Sequence, residues 1–180
     1  MTGCLSQCFK WAPGYAANHS DELFQSLSAL VPLWETEINR NVAYCFAEMF
    51  EKSPKYFTKH LPNGLLLLKQ IFDHPSSSEP CKDNALAAIC RIIYTINPPI
   101  PLQVFVDTLI PLLPFKGDEE EEPSALKALL FLANNNPQLL AAHRQAIITL
   151  LESDLSQPKK YNLEEPLIGQ LNALLGQIKA

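Results

Sequence analysis

The stretch Asn84-Ala85-Leu86-Ala87-Ala88-Ile89-Cys90, followed by Asn97-Pro98, decides the fold class of this sequence. It is an alanine-containing apolar segment that ends in a small polar residue and a proline. The same arrangement occurs twice more in the chain: residues 41–47 before Ser53-Pro54, and residues 124–130 before Asn136-Pro137. Because proline cannot continue a helix without losing a hydrogen bond, each of these positions predicts a turn between two helices.

The spacing of the three turns predicts a repeat. The prolines are separated by 44 and 39 residues, which is the period of HEAT and armadillo arrays and exceeds that of tetratricopeptide and ankyrin repeats. Only 6 of the 180 residues are glycine, and alternating strand patterns are almost lacking. The sequence therefore predicts an all-α fold, an α-solenoid of HEAT-type antiparallel helix hairpins with about four repeats. Residues 1–19 are predicted to be irregular or partly helical, and residues 20–180 to form the solenoid.

Apolar residues at helical spacing give the individual helices. We expect the helix Lys82 to Ile96 and the helix Pro101 to Leu113 to form one hairpin, and the last helix to cap the array with a polar outer face. The other predicted helices are Ser20 to Trp34, Glu37 to Lys52, Lys55 to Phe72 with a kink at Pro62-Asn63-Gly64, Pro123 to Ala133, Gln138 to Leu151 and Leu163 to Ile178. The apolar stripes by which neighbouring helices face each other predict burial of Cys45, Phe46, Leu86, Ile89, Leu129 and Ile147.

Charge and composition exclude several classes of partner. The net charge of −5 and the scattered lysines and arginines argue against nucleic-acid binding, which needs a basic patch. The longest wholly apolar stretch, Leu65 to Leu68, is far shorter than a membrane-spanning helix, and residues 1–19 do not have the pattern of a secretory signal. The odd number of cysteines favours a reducing compartment.

No constellation of residues predicts catalysis, a metal or a cofactor. Cys4 and Cys8 are spaced like half of a zinc site, but no second pair lies at zinc spacing. His60, His74 and His143 fall in different repeats, each without a partner at catalytic spacing, so we interpret them as surface or helix-packing residues. The sequence predicts a protein that is not an enzyme.

The run Asp118, Glu119, Glu120, Glu121 and Glu122 is the sharpest charge feature. Two interpretations are open. The run can be a solvated loop whose charges favour the start of the following helix. Alternatively, it can bind basic segments of a partner protein, in which case binding weakens as salt rises. We take these five residues as the candidate partner-binding site.

The chain resembles a known family over residues 20–180. The resemblance is based on three segments that precede the acidic run in this order: Asp83 to Ile93, Asn97-Pro98, and Leu109-Ile110-Pro111-Leu112-Leu113-Pro114-Phe115-Lys116. In this order they resemble the C-terminal HEAT repeats of importin-β-type nuclear transport receptors, or karyopherins, with the importin-four branch nearest. Phe115 stands where that branch has leucine. The closing segment, residues 171–176, is also similar to the family.

The resemblance implies a function in nucleocytoplasmic protein transport. It implies that the segment contributes to binding protein cargo with basic import signals, contacts phenylalanine-glycine repeats of the nuclear pore, and is found in cytoplasm and nucleus. The family's Ran-binding surface lies near the N-terminus, so the resemblance places Ran binding outside this chain and implies a C-terminal fragment or a truncated paralogue. The alternative is a structural HEAT scaffold unrelated to transport. In a solenoid, the candidate residues for gripping a partner are Lys55, Lys59, Gln103, Asp107 and Arg144. The favoured alternative is that they are ordinary solvated helix residues, because exposed charge is common on solenoids.

Overall fold

The computed structural model describes Gly14 and residues 18–180. These residues are all-helical, and no strand occurs among them, as the sequence predicts. The chain divides into two compact units, one that ends at Pro98 and one that spans Pro99–Ala180. Most of the predicted N-terminal segment 1–19, including Cys4 and Cys8, lies outside the described residues.

The first unit is built on the pair α2 and α5, which pack side by side over much of their length. Helix α4 packs against α5, and α1 contributes Phe24 and Leu27 to the same core. The helices of this unit are α1 (Ser20–Ser28), α2 (Thr36–Lys52), α3 (Pro54–Phe57), α4 (Leu61–Asp73) and α5 (Glu79–Ile96), with 3-10 turns at Val31–Leu33 and Thr58–His60.

The second unit repeats this construction with its own core. Helix α8 packs against α9, α9 also packs against α7, and the 3-10 segment before α8 contacts both α6 and α7. Its helices are α6 (Leu102–Leu109), α7 (Glu122–Asn135), α8 (Arg144–Ser156) and α9 (Glu165–Lys179), with 3-10 turns at Ile110–Leu112, Glu119–Glu121 and Pro137–His143.

The break in the predicted helix Lys55 to Phe72 lies earlier than we expected. The segment is divided into α3, a 3-10 turn and α4, so the irregularity ends at His60 and not at Pro62-Asn63-Gly64. Pro62 occupies the first turn of α4, where its missing N–H costs nothing. Gly64 lies inside α4, and a Cβ there would stand 2.8 Å from the Phe50 ring, so glycine permits the close contact of α4 with α2.

Two further helix boundaries differ from the sequence prediction. Helix α1 ends at Ser28 and not at Trp34, because Pro32 interrupts the helical ladder and Trp34 takes a left-handed conformation with φ 53°. The segment Gln138 to Leu151 begins as a 3-10 turn, and regular α8 starts only at Arg144.

The pairing of helices also differs from the expectation. The chain divides between Pro98 and Pro99, so α5 and α6, predicted as one hairpin, fall in different units. Among the longer helices that follow one another in the chain, the packed pairs are α4 with α5 and α8 with α9. The proline turns therefore lie between hairpins. The loops inside the hairpins, residues 74–78 and 157–164, are the less regular ones.

The predicted core is confirmed with one exception. Cys45, Phe46, Leu86, Leu129 and Ile147 are buried, and Ile89 is half-buried against the core of the first unit. The exposed residues of α9 are small or polar, which agrees with the outer face predicted for the last helix; among the described residues they include Gly169, Gln170, Asn172, Ala173, Gly176 and Gln177.

Both units contain the same local module at a proline turn. Ser53 before Pro54 has φ −138° and ψ 45°, and Asn136 before Pro137 has φ −145° and ψ 52°. Each proline is followed six residues later by a histidine, His60 or His143, which stands immediately before a regular helix. The similar backbone angles and equal spacing make these two turns structural copies of one another.

Candidate functional site

The acidic run is a short folded element at the start of α7. Glu119–Glu121 form a 3-10 turn, and Glu122 is the first residue of α7. Glu120 is exposed, and Asp118 and Glu119 are half-buried. Glu121 and Glu122, however, are 5% and 0% exposed. The expectation of a solvated loop without core contacts is therefore wrong for these last two residues.

The buried glutamates close the segment on itself. The Phe115 backbone N–H donates to Glu122 Oε2 at 2.7 Å, and the Ser124 hydroxyl donates to Glu121 Oε2 at 3.3 Å. Carboxylates are favourable at a helix N-terminus because they satisfy free N–H groups and oppose the positive end of the helix dipole. Glu122 thus ties residues 115–122 into a closed loop and fixes where α7 begins.

A second carboxyl lies against Glu122 inside the unit. Asp154 on α8 is 0% exposed and its carboxyl contacts that of Glu122. No N–H or O–H donor in the described chain reaches either oxygen of Asp154. Burial raises the pKa of Asp154 to about 6, although Glu122 and the nearby charge of Lys160 act in the opposite direction. Two carboxyls in contact are stable only while they share a proton, so this pair is a titrating element in the interior.

Lys160 connects the acidic run with the segment before α9. Its Nζ lies 3.1 Å from Glu119 Oε1 and donates to the Tyr161 hydroxyl at 3.2 Å. These two contacts, that with Tyr161 first, raise the pKa of Lys160. The charge of Glu119 is thus partly balanced, and the outward negative charge of the run comes mainly from Asp118 and Glu120.

The three histidines take part in packing, as we interpreted them. His60 stacks on Phe24 with ring centroids 4.3 Å apart, and its Nε2 lies 2.7 Å from Asp21 Oδ1. His74 stacks on Trp34 at 3.9 Å. His143 Nε2 lies 2.7 Å from Asp107 Oδ1, and this contact lowers the pKa of Asp107. In both copies of the proline module, the histidine therefore contacts an aspartate on an earlier helix of the same unit, α1 or α6.

Four of the five candidate gripping residues, Lys59, Gln103, Asp107 and Arg144, make hydrogen bonds or ion pairs inside their own unit. Lys59 Nζ lies 2.6 Å from Asp21 Oδ1 and is the main cause of the lowered pKa of Asp21. The Gln103 amide donates to Asp107 at 2.9 Å, and the Arg144 guanidinium donates to the Ile178 carbonyl. Lys55 is exposed. The contacts of Lys59 and Arg144 join different elements, whereas the contact of Gln103 with Asp107 lies within α6. Both kinds of contact are structural uses of these residues.

The sequence did not lead us to predict a cluster of charged and hydrogen-bonded side chains in the first unit. Arg91 Nη1 lies 2.6 Å from Glu48 Oε1 and 3.4 Å from Glu51 Oε2, and the Tyr94 hydroxyl donates to Glu51 at 2.7 Å. Burial acts to raise the pKa of Glu51, but the Tyr94 hydrogen bond and the charges of Arg91 and Lys52 outweigh it and lower the pKa. The sequence contained one indication of this cluster, which is the spacing of its residues. Arg91 follows Glu48 by 43 residues and Tyr94 follows Glu51 by 43 residues, which is about one repeat.

Two concave surfaces lie outside the acidic run. In the first unit, α1 and α4 form a groove of about 400 Å³ with Phe24, His60 and the 55% exposed Leu66 among its lining residues. In the second unit, two adjoining cavities of about 410 Å³ and 230 Å³ lie beside α9.

Among the described residues, no group of three or more His, Cys, Asp or Glu side chains is arranged to hold a metal ion.

Comparison with known proteins adds no relative. No protein-family model, curated protein or solved structure matches the chain. In the described part of the chain, no helix combines the length and the apolar character that crossing a bilayer requires.

Proposed function

We propose that this chain is a segment of a HEAT-type helical-repeat protein and that it binds other proteins through its repeat surfaces. The observation that carries the proposal is the recurrence of one module in both units. Each copy has a helix, a proline turn, a histidine six residues on, and a contact between that histidine and an aspartate on an earlier helix of the same unit. Repeat arrays of this kind present extended surfaces that grip partners by many modest contacts.

The proposed partner class is cargo with basic import signals, as the importin-β resemblance implies. The second unit supports this choice through its charge, because Pro99–Ala180 contain ten acidic residues against six lysines and arginines. Asp118, Glu119 and Glu120 are the accessible part of the acidic run. An acidic surface attracts Lys- and Arg-rich segments over about 8 Å at physiological salt.

The test is a titration with a Lys/Arg-rich import-signal peptide at two salt concentrations. We expect Asp118→Asn/Glu119→Gln/Glu120→Gln to weaken binding about tenfold at low salt, since exposed charge pairs contribute at most about 1 kcal/mol each. The loss should shrink at high salt. Glu121 and Glu122 stay unchanged in this variant, because Glu122 holds the Phe115 N–H and its replacement would disturb the fold.

A control variant separates local charge from net charge. Glu35→Gln/Glu37→Gln/Glu79→Gln removes three exposed carboxylates from the first unit and changes the net charge equally. We expect it to bind the peptide like the unmodified chain. If both triple variants lose the same affinity, the attraction is a general effect of net charge. One stoichiometric partner whose binding resists salt would favour the structural scaffold.

The resemblance also implies contacts with phenylalanine-glycine repeats. The groove between α1 and α4 supports this proposal, since its apolar wall holds the stacked Phe24 and His60 rings and leaves Leu66 exposed. We expect Leu66→Ser to weaken binding of a phenylalanine-glycine repeat peptide severalfold, because it removes apolar surface from the groove. The matched control is Leu33→Ser, since Leu33 is similarly exposed in the same unit but does not line the groove. Equal loss in both variants would remove the groove from the proposal.

A further inference from the structure

Residues 115–122 form a closed segment that is held at its end by one buried carboxyl. Glu122 is the first residue of α7 and is 0% exposed, and its Oε2 accepts the Phe115 backbone N–H at 2.7 Å. The Phe115 side chain is also buried, at 1% exposure. The accessible part of the acidic run, residues 118–120, lies between these two ends. The position of the Glu122 carboxyl therefore decides whether the acidic run is held against the rest of the unit.

Asp154 lies against the Glu122 carboxyl in the interior of the unit. It belongs to α8 and is 0% exposed, and neither of its oxygens is reached by an N–H or O–H donor in the described part of the chain. A buried carboxylate without a donor is unfavourable, and two carboxyls in contact are stable only while one of them keeps its proton. A bound proton is therefore the group that this contact requires.

We propose that the proton shared by Glu122 and Asp154 is a pH-dependent switch, which holds residues 115–122 closed at acidic pH and opens them for basic peptides when it is lost. This inference rests on the proposed function, the binding of basic cargo, and adds a regulation to that same surface. The opening is local. Glu122 turns towards water and releases the Phe115 N–H, while the buried Phe115 ring keeps the segment attached.

The acidic segment yields to the repulsion, and α8 does not, because the segment is held by fewer contacts. Asp154 lies in a regular helix whose neighbouring side chains, Leu150 and Leu151, are buried in the core. Glu122 lies in the first turn of α7 and follows a 3-10 turn. The N–H groups of a first turn have no helical partners and can bind water. Opening therefore breaks few main-chain hydrogen bonds, and it adds the carboxylates of Glu121 and Glu122 to the accessible negative charge.

Two charged neighbours act on Asp154. Glu122 faces it from α7, and Lys160 of the loop 157–164 favours the ionised form of Asp154 through its positive charge. Lys160 is also held by other groups, since its Nζ contacts Glu119 of the 3-10 turn at 3.1 Å and the Tyr161 hydroxyl at 3.2 Å. The nearby positive charge therefore lowers the pH at which the segment opens, but it does not replace the proton.

The other elements that pack on α8 carry their charges elsewhere. They are α9 and the 3-10 turns Ile110–Leu112 and Pro137–His143. Lys179 of α9 pairs with Glu152 at the surface, and His143 pairs with Asp107. Residues 110–112 include no ionisable side chain. The remaining ionisable residues of α7, α9 and the adjoining loops are exposed: Lys116, Lys127, Lys159, Glu164 and Glu165. The pH of opening is therefore set by the burial of Asp154 and by its contacts with Glu122 and Lys160.

The size of the effect follows from the raised pKa of Asp154. Burial raises this pKa to about 6 in the closed segment, and in the open segment the hydrated carboxyl returns to about 4. The proton thus binds the closed segment more tightly, and this preference is lost as the pH rises through 6. Between pH 5 and pH 7.5, the ratio of open to closed segments is expected to rise about tenfold.

Hydrogen exchange of the Phe115 amide, followed by NMR in the full chain, tests the switch without any partner. After correction for the intrinsic exchange rate at each pH, we expect its protection to fall about tenfold from pH 5 to pH 7.5. Asp154→Asn has no proton to lose and offers an N–H to Glu122, so its protection should stay constant. Glu152→Gln, an exposed position of α8, is the matched control and should behave like the unmodified chain.

The Leu129 amide in the middle of α7 distinguishes local opening from unfolding of the unit. Leu129 is fully buried, so its amide should exchange far more slowly than that of Phe115. Equal protection of the two amides would mean that only unfolding of the whole unit exposes Phe115, and it would overturn the inference. The same pH dependence in Asp154→Asn and in the unmodified chain would also overturn it.

A Lys/Arg-rich import-signal peptide without histidine tests the regulation, because its charge is constant between pH 5 and pH 7.5. At fixed salt, its affinity for the unmodified chain should rise about threefold to tenfold over this range relative to Asp154→Asn, as the open segment becomes more populated. The two chains contain the same histidines, so the titration of those residues cancels in the comparison.

The two measurements separate this inference from the proposed function. If the peptide binds both chains with the same pH dependence, the switch does not regulate the acidic run, and the proposed function stands without it. If the protection of Phe115 changes with pH as expected but the peptide binds at neither pH, the proton closes the segment and basic cargo is rejected. A peptide affinity that falls on opening would overturn the inference, since the added carboxylates should strengthen binding.

Discussion

Replacing Asp154 by asparagine is expected to stabilise the second unit by about 2 to 3 kcal/mol at pH 7.5, although the change removes a native carboxylate. Asp154 is 0% exposed, and its carboxyl lies against Glu122. Burial raises the pKa of Asp154 to about 6. Above that pH the folded unit therefore holds a buried, ionised Asp154 carboxylate, whereas asparagine is uncharged at every pH and offers an N–H to Glu122.

The sign of the pH dependence follows from the raised pKa. A carboxyl that binds its proton more tightly in the folded state contributes stability below its unfolded pKa, near 4. That contribution is lost as the pH rises through the folded value of about 6. The advantage of Asp154→Asn should therefore be largest above pH 7 and fall to about a third at pH 4.5. Urea unfolding of both chains at several pH values measures it.

Glu152→Gln is the matched control for this prediction. Glu152 lies on the same helix, but its side chain is 52% exposed and pairs with Lys179 at the surface. Neutralising it should change stability by less than about 1 kcal/mol at any pH. If Asp154→Asn behaves like this control, or destabilises the unit at pH 7.5, the carboxyl pair is not a buried titrating element.

The proline turns could be predicted from the sequence because their cause is local. Proline lacks an N–H and fixes its own φ, so Ser53-Pro54 and Asn136-Pro137 indicate a helix end whatever packs around them. Pro62 shows the limit of this reasoning. A proline is tolerated in the first turn of a helix, and only the surrounding packing places that turn at Leu61.

The role of the acidic run could not be predicted for a different reason. Five consecutive carboxylates suggest a solvated loop, and nothing in the run itself distinguishes Glu120 from Glu122. The distinction comes from distant residues. The Phe115 N–H and Asp154 surround Glu122, while Glu120 faces water. Long-range contacts of this kind depend on how α7 and α8 meet, which helical periodicity alone does not fix.

The polar residues that line the 230 Å³ cavity between α7 and α9 are an intermediate case. The apolar stripe of α9, with Leu167, Leu171 and Leu174, was visible in the sequence and is buried. Gln170 and Gln177 fall on another face of the same helix at a spacing of seven residues, so their shared orientation follows from helix geometry. Asn134 lies on α7, so only the tertiary structure brings it next to these two residues. The sequence therefore predicted helix α9, but not the surface that α9 forms with α7.

Arg91→Met is expected to destabilise the first unit by about 3 to 5 kcal/mol, the largest loss we predict for a single polar residue. The Arg91 side chain is 11% exposed, and its guanidinium contacts Glu48, Glu51 and the Tyr44 ring. These contacts join α2 to α5, the most extensive helix pair of the unit. Methionine keeps most of the packing volume but leaves the 6% exposed Glu48 carboxylate without its cation.

The double variant Arg91→Met/Glu48→Met separates the pair from its packing. A buried ion pair replaced by two apolar residues of similar size is often as stable as the original, because the cost of desolvating both charges disappears. We therefore expect the second substitution to recover most of the loss, with coupling of about 2 kcal/mol or more in a double-mutant cycle followed by helical circular dichroism in urea. A loss below about 1 kcal/mol for Arg91→Met would mean that water screens the cluster as it screens an ordinary surface ion pair. The association of α2 with α5 would then depend on Phe46, Ala85, Ala88 and their apolar neighbours alone.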